Sequence, residues 1–451
     1  MKVPRLPRKP WLCTLALATA LGVTVAVASG RPAGARADSR AHPESPRVPT
    51  PAVLAELGRA IFFDTNLSEP RGTSCASCHD PERAFSGGNH STNGLPRGSR
   101  PRHFARRTSR SLLYLRYVPT FRFAPEGDGD DHQAAPFGGF FWDGRADSIR
   151  TLTRQPLLNP DEMNNRDGHA LALKISSAPY ASDFQRAFGG IFADADATLA
   201  AVGRAVEAFL TGAEMAPFTS KFDDVARGRA QLTPQEQTGM RLFEDPRKGA
   251  CASCHQLADT RGDPARSLFT DYGYDAVGAP RNPRAPSHAK PDIKPDLGLC
   301  ERTDSTTPTR EPGYCINFMT PSLRNVAVRD SFMHNGTFTN LRDVVAFYAT
   351  RDTSPRRWYP SGVKFDDVPK RYRGQVNQNA APYGNRRAGD TPALDDQEID
   401  AIVAFLGTLT DARYVDKRLA RDAQPAPRGI RERSSHTKVS ASKKIDPDIF
   451  D

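Results

Sequence analysis

The sequence predicts a mainly α fold built as two similar halves with long loops. Three observations carry that expectation. The pentapeptide Cys75-Ala76-Ser77-Cys78-His79 recurs as Cys251-Ala252-Ser253-Cys254-His255. Each copy follows a segment with helical apolar spacing that closes on G-x-x-[IL]-F, Gly58 to Phe62 in one and Gly239 to Phe243 in the other. Runs with the alternation of a half-buried strand are scarce.

C-x-x-C-H is the attachment pattern of c-type haem. Its cysteines form thioethers to the porphyrin, and its histidine lies under the iron as an axial ligand. Cys75, Cys78 and His79 therefore mark one haem, and Cys251, Cys254 and His255 a second. Because the preceding helix repeats as well, the halves read as two cytochrome c-like haem domains, 51–217 and 218–415.

The elements follow in chain order. Lys2, Arg5, Arg8 and Lys9 precede an uncharged, mostly apolar run from Trp11 to Ala28, and Ala35-Arg36-Ala37 forms an A-x-A site before Asp38. Residues 1–37 read as an export signal. The apolar run is also long enough to stay as a membrane anchor; cleavage leaves no stable membrane insertion. Residues 38–50, rich in Arg, Pro and Ser, read as a flexible leader. Leu54, Leu57 and Ile61 give a helix from Leu54 to Phe63 its apolar stripe. An amphipathic helix from Leu199 to Leu210 closes the first half. Thr233 caps the helix before the second motif, with Glu236 at the capping-box position. Ala393 to Leu409 closes the second half, capped by Asp395 or Asp396. Residues 416–451, rich in Arg, Lys, Ser and Pro, read as a disordered basic tail.

Composition narrows the function classes. Lys and Arg number 62 against 52 Asp and Glu, a formal net charge of +10. No basic run interleaves with aromatics, which argues against nucleic-acid binding. Of 7 cysteines, Cys13 falls in the signal and four in the haem motifs. Cys300 and Cys315 remain, and in an oxidising compartment they are expected to pair. Covalent haem is assembled outside the bacterial cytoplasm, so motif, disulfide and signal agree on a periplasmic protein. The segment 121–140 carries Glu126, Asp128, Asp130 and Asp131. It reads as a solvated acidic loop, with a metal site as the alternative.

Further motifs stand in a fixed order around the haem motifs. They are Phe141-Trp142-Asp143-Gly144-Arg145, Asn159-Pro160-Asp161-Glu162-Met163, Thr320-Pro321-Ser322-Leu323-Arg324-Asn325 and Phe332-Met333-His334-Asn335-Gly336. The last leads into Leu341 to Tyr348. The ordered set resembles the bacterial dihaem cytochrome c peroxidase family, which includes the MauG-type enzymes. The resemblance implies that the haem of Cys75, Cys78 and His79 is peroxidatic. It implies that Glu162 moves protons in the distal pocket and that Trp142 relays electrons between the haems. In typical members a Met after the H-x-G turn is the sixth ligand of the second haem. Counting from His334, that position is Tyr348, as in the MauG-type branch. A thioether stabilises ferrous iron, whereas a phenolate stabilises ferric and higher states. Met319 and Met333 are rival ligands.

Three departures limit the transfer. A family Gln ten residues after the Trp is Leu152 here, with Gln155 in another register. Arg107-Thr108-Ser109-Arg110-Ser111-Leu112 has Thr108 in place of an Asn that helps bind an interdomain calcium, leaving calcium as an open expectation. Arg329 and Ser331 stand where the family supplies backbone carbonyls to that ion. His90 and His103 fall in the region of a distal histidine but out of register, and read as surface residues.

The first expectation is thus a periplasmic dihaem enzyme that reduces hydrogen peroxide. Its electrons come from a donor protein, or from side chains of a protein substrate as in MauG-type enzymes. The alternatives are a cytochrome c peroxidase served by a small cytochrome or copper protein, a non-enzymatic dihaem electron carrier, and a redox sensor whose tail or 121–140 insert docks a partner.

Overall fold

Residues 49–87, 91–125, 134–259, 261–286, 294–302 and 311–416 are described by a computed structural model. The signal, most of the leader, His90, the acidic residues Glu126, Asp128, Asp130 and Asp131, and the tail beyond Asp416 lie outside the described residues.

Eleven α-helices are described: α1 Pro51–Phe63, α2 Cys75–Cys78, α3 Ile149–Leu158, α4 Gly168–Ser176, α5 Ala181–Phe188, α6 Ala195–Leu210, α7 Lys221–Ala226, α8 Pro234–Glu244, α9 Leu341–Thr350, α10 Pro355–Trp358 and α11 Asp396–Gly407. Two helices start earlier than apolar spacing alone suggests, because a cap sets the start. Thr50 accepts from the Val53 N–H ahead of Pro51 in α1, and Asp194 accepts from the Ala197 N–H in α6. Thr233 and Glu236 form the expected capping box on α8. On α11 the cap is Asp395, paired reciprocally with Glu398.

The repeated G-x-x-[IL]-F has a packing cause. α1 crosses α6 and α8 crosses α11 at very short range. A Cβ on Gly58 would lie 1.9 Å from the Ala205 carbonyl oxygen, and one on Gly239 would lie 1.9 Å from that of Ala401. The phenylalanine four residues on then seats in the helix pair. Phe62 lies 5.3 Å from Phe209, and Phe243 lies 5.3 Å from Phe405. These pairs anchor two apolar cores. One draws on Leu57 through Met215, with Val328 and Tyr414 added; the other runs from Phe222 to Leu409. The chain thus returns to the first core after α11.

Strand pairing is slight among the described residues. β1 (Arg122–Pro125) pairs antiparallel with β2 (Ala134–Phe137), and β3 (Tyr274–Asp275) with β4 (Phe318–Met319). Cys300 and Cys315 form the expected disulfide next to β4. Buried polar residues knit the halves together. Asp411 accepts from the Tyr114 hydroxyl at 2.7 and 2.9 Å, from Asn325 Nδ2 at 2.6 Å and from the Thr219 N–H at 3.0 Å. Among the described residues no helix is long and apolar enough to cross a membrane.

Candidate haem centres

Both C-x-x-C-H segments fold as a single tight turn. The His79 N–H returns to the Cys75 carbonyl at 2.8 Å, and the His255 N–H returns to that of Cys251 at 2.8 Å. Each imidazole presents Nδ1 to backbone carbonyls: His79 to Phe85 at 3.0 Å and Arg110 at 3.1 Å, His255 to Phe269 at 2.8 Å. A carbonyl can only accept, so Nδ1 carries the proton and Nε2 keeps its lone pair for a metal. Burial pushes the His79 pKa down to about 4 and that of His255 in the same direction. Both rings are therefore neutral, as a ligand must be.

None of the four motif cysteines is in a disulfide, and each lies at the wall of a cavity beside its histidine. Burial pushes the Cys75 and Cys251 thiols up to about 12. A thiolate is disfavoured there, whereas a neutral thioether suits such surroundings. Neutral imidazoles with free Nε2, paired thiols and apolar walls fit a haem in each half.

The first cavity, of about 450 Å³, is walled by Cys75, Cys78, His79, Trp142, Leu152 and Glu162 among others. Asn159-Pro160-Asp161-Glu162-Met163 makes a tight turn after α3. The Glu162 N–H bonds the Asn159 carbonyl at 3.0 Å, and the Glu162 carbonyl accepts from the Ser99 N–H at 2.7 Å. Both backbone groups are thereby fixed, and the side chain turns into the cavity. Burial raises the Glu162 pKa, against the Arg145 charge and the Asn159 side chain, which act to lower it. Leu152 contributes an apolar wall where the family carries Gln. Gln155 instead accepts from Arg145 Nε at 2.7 Å. His103 bonds Asp161 at 2.7 Å and is not part of the cavity wall.

Trp142 lines both cavities. Its indole N–H donates to the Thr108 carbonyl at 2.9 Å, and its own carbonyl accepts from the Met319 N–H at 2.9 Å. The charged residues of its motif form a clamp. Asp143 takes Arg107 at 2.6 Å and Arg145 at 2.9 Å. Arg107 also holds Asp296 through two bonds of 2.7 Å. Burial would raise the Asp296 carboxyl, but the Arg107 charge wins and holds it well below the usual carboxylate range.

The second cavity, of about 200 Å³, gathers Cys251, Cys254, His255, Tyr348, Met319 and Met333. Tyr348 comes from the last turn of α9, which Asn340 caps at its start. His334, from which the position of Tyr348 is counted, lies in the same wall and stacks on Phe318 at 3.7 Å. Arg110 Nη1 donates to the Met319 sulfur at 3.0 Å, so that thioether is already engaged.

Residues 52–231 match the protein family described as di-haem cytochrome c peroxidase. The chain is 35% identical over 382 residues to the methylamine utilization protein MauG of Paracoccus denitrificans (strain Pd 1222), which spans 81% of this chain and 90% of that protein. The chain belongs to the dihaem cytochrome c peroxidase family. Among solved structures it resembles the diheme peroxidase BthA of Burkholderia thailandensis E264, with a TM-score of 0.74 and 50% identity over 81% of this chain and 88% of that one. A tyrosine-to-methionine variant of BthA matches with a TM-score of 0.76 and 49% identity over 81% of this chain and 87% of that one.

This dihaem peroxidase contains site residues that the motifs did not signal. The carbonyls that orient the two histidines come from Phe85, six residues after His79, and Phe269, fourteen residues after His255. The unequal spacing hides the equivalence. Asp296 and Tyr383 reach the clamp and the second cavity from long loops, and Asp275 from the two-residue strand β3, where no periodicity marks them.

Proposed function

We propose that this protein is a periplasmic dihaem c-type enzyme of the MauG type. In this reading Cys75, Cys78 and His79 hold the peroxidatic haem. Cys251, Cys254 and His255 hold the second haem, with Tyr348 as its sixth ligand. The observation that carries the reading is the sharing of Trp142 by two unlike cavities, one with Glu162 and the other with Tyr348. Bound haem iron supplies the redox chemistry that delivers two electrons to hydrogen peroxide.

The chain's own residues do the rest. Glu162 would hold and move the proton between the two oxygens of a peroxide bound at the first haem, so that one oxygen could leave as water. The Arg145 charge acts against the burial that raises the Glu162 pKa. Trp142 offers the conjugated path between the two cavities. Tyr348, as phenolate, favours the oxidised forms of its iron, so oxidising equivalents are held until a donor protein or a protein substrate delivers electrons. With the Met319 sulfur engaged by Arg110, Tyr348 is the better ligand in this cavity. The tyrosine-to-methionine variant of BthA invites the same exchange here.

Calcium is not part of the proposal. The Thr108 hydroxyl already donates to the Met333 carbonyl at 2.9 Å. Buried Arg329 stands close by, donating to the Ser109 carbonyl at 3.4 Å. Burial and then the Arg110 charge push its pKa down to about 10. A divalent cation would add to charge that is already self-repelling.

The test is to add stoichiometric peroxide to the fully oxidised holoprotein and follow its absorbance. The wild type should react without prior reduction and retain the oxidising equivalents. Glu162→Gln should react far more slowly, and Tyr348→Met should lose the retention. A wild type that waits for one-electron reduction would place the protein with the cytochrome c-dependent peroxidases.

A further inference from the structure

Tyr383 is a buried residue that the reading above leaves without a role. It lines the second cavity, and its side chain is 3% exposed. Its hydroxyl has no hydrogen-bond partner among the described residues. A buried hydroxyl is rarely left unpaired, because its lost hydration is not recovered. The Arg351 guanidinium lies 3.4 Å from the Tyr383 ring centroid. That guanidinium is itself fixed by the Val277 carbonyl at 2.9 Å, the Asn377 carbonyl at 2.7 Å and Asp352 at 2.6 Å.

The other ring beside it is Tyr348. The two are nearly parallel, with centroids 6.1 Å apart and planes 19° apart. Both tyrosines line the same cavity. We propose that Tyr383 is a positioning residue for the second haem, donating its hydroxyl hydrogen to the Tyr348 oxygen when that oxygen ligates iron. The proposal rests on Tyr348 being the ligand.

The chemistry gives the bond one direction. A ligating phenolate has lost its proton and can only accept. A phenol with an ordinary pKa of about 10 keeps its proton at neutral pH, so Tyr383 is the donor. Arg351, a fixed cation with Asp352 as counter-ion, offers no acceptor to compete. A hydrogen bond onto the phenolate withdraws electron density from it. The ligand becomes a weaker donor, and the second haem is easier to reduce than an unbridged tyrosine would make it. Tyr383 thus sets how tightly Tyr348 holds the oxidised state.

Resonance Raman spectra and the midpoint potential of the second haem test this in the holoprotein. Tyr383→Phe removes one hydroxyl and keeps the ring on Arg351. It should raise the iron–phenolate stretching frequency and lower the potential, while the spectrum of the first haem is unchanged. In a Tyr348→Met background the same substitution should leave the potential in place. In the wild type, transfer to D2O should shift the phenolate vibrations, a measurement that needs no variant. Phenolate vibrations unmoved by both Tyr383→Phe and D2O would overturn the hydrogen bond alone. A potential that moves equally in the Tyr348→Met background would do the same. A wild type with no iron–phenolate vibration would overturn ligation by Tyr348, and this proposal with it.

Discussion

Asp223 and Arg324 meet through hydrogen bonds of 2.9 and 2.7 Å with both side chains sealed from solvent. Ser220 donates to the same carboxylate from its hydroxyl at 2.7 Å and its N–H at 2.8 Å, and Arg324 Nε donates to the Ser267 carbonyl at 2.7 Å. The arginine of T-P-S-L-R-N is therefore a structural clasp. Asp223→Ala strands a buried cation and should cost about 3–5 kcal/mol in chemical denaturation. Burial acts to raise the Asp223 carboxyl, but Arg324 and Ser220 bring it below its ordinary value. Its stabilisation is then complete above the ordinary carboxylate pKa of about 3.9 and is lost as pH falls through the lower folded value. A denaturation midpoint measured against pH should show this acid loss in the wild type and a shallower one in Asp223→Asn.

The two glycine crossings predict paired effects. At Gly58 and Gly239 the nearest obstacle to a methyl is a backbone oxygen, which no side-chain rotation can clear. Gly58→Ala and Gly239→Ala should each separate their helices and cost about 1–3 kcal/mol or more. The two losses should be alike, because the geometry is alike. A thermal midpoint unchanged in either variant would contradict the close approach.

Much of this was legible in the sequence where local chemistry decides the structure. Thr233 with Glu236 fixed the start of α8, and the apolar stripe of α11 placed Ile399 and Ile402 in the core. The haem motifs were legible because two cysteines and a histidine at fixed spacing fall within five residues. The second-sphere residues were not. Asp296 reaches Arg107 across 189 residues and Asp411 reaches Tyr114 across 297. A contact closed by loops leaves no periodic trace. The short helices α4 and α5 were also missed; their starts are set by an Asp167 cap and a Tyr180 turn rather than by an apolar repeat.

Glu162 carries a pH signature. Because burial raises its pKa, the ionised base fails at a higher pH than an ordinary glutamate, whose pKa is about 4.3. The stopped-flow rate constant for peroxide should be at its plateau above the raised value and fall as pH drops through it. Glu162→Gln should lower the plateau by about 10²–10⁴-fold and abolish that limb. Haem content should be unaffected, since Glu162 holds no motif residue. A retained limb in Glu162→Gln would assign the titration to another group.

In the proposed function Trp142 would conduct without holding charge. Its N–H donates to a backbone carbonyl, which cannot take the proton that an oxidised indole would release. The Arg110 guanidinium lies 5.6 Å from the ring centroid and opposes positive charge there. Both features make the indole a poor resting place for an oxidising equivalent, while the residue lines both cavities. Trp142→Phe should slow electron exchange between the haems after flash reduction of one of them. Each haem's own absorption spectrum should stay as in the wild type. Arg110→Met should act in the opposite sense on the indole, lowering its oxidation potential, and a tryptophan radical should then become detectable by electron paramagnetic resonance after peroxide. Unchanged exchange in Trp142→Phe would contradict a path through the indole.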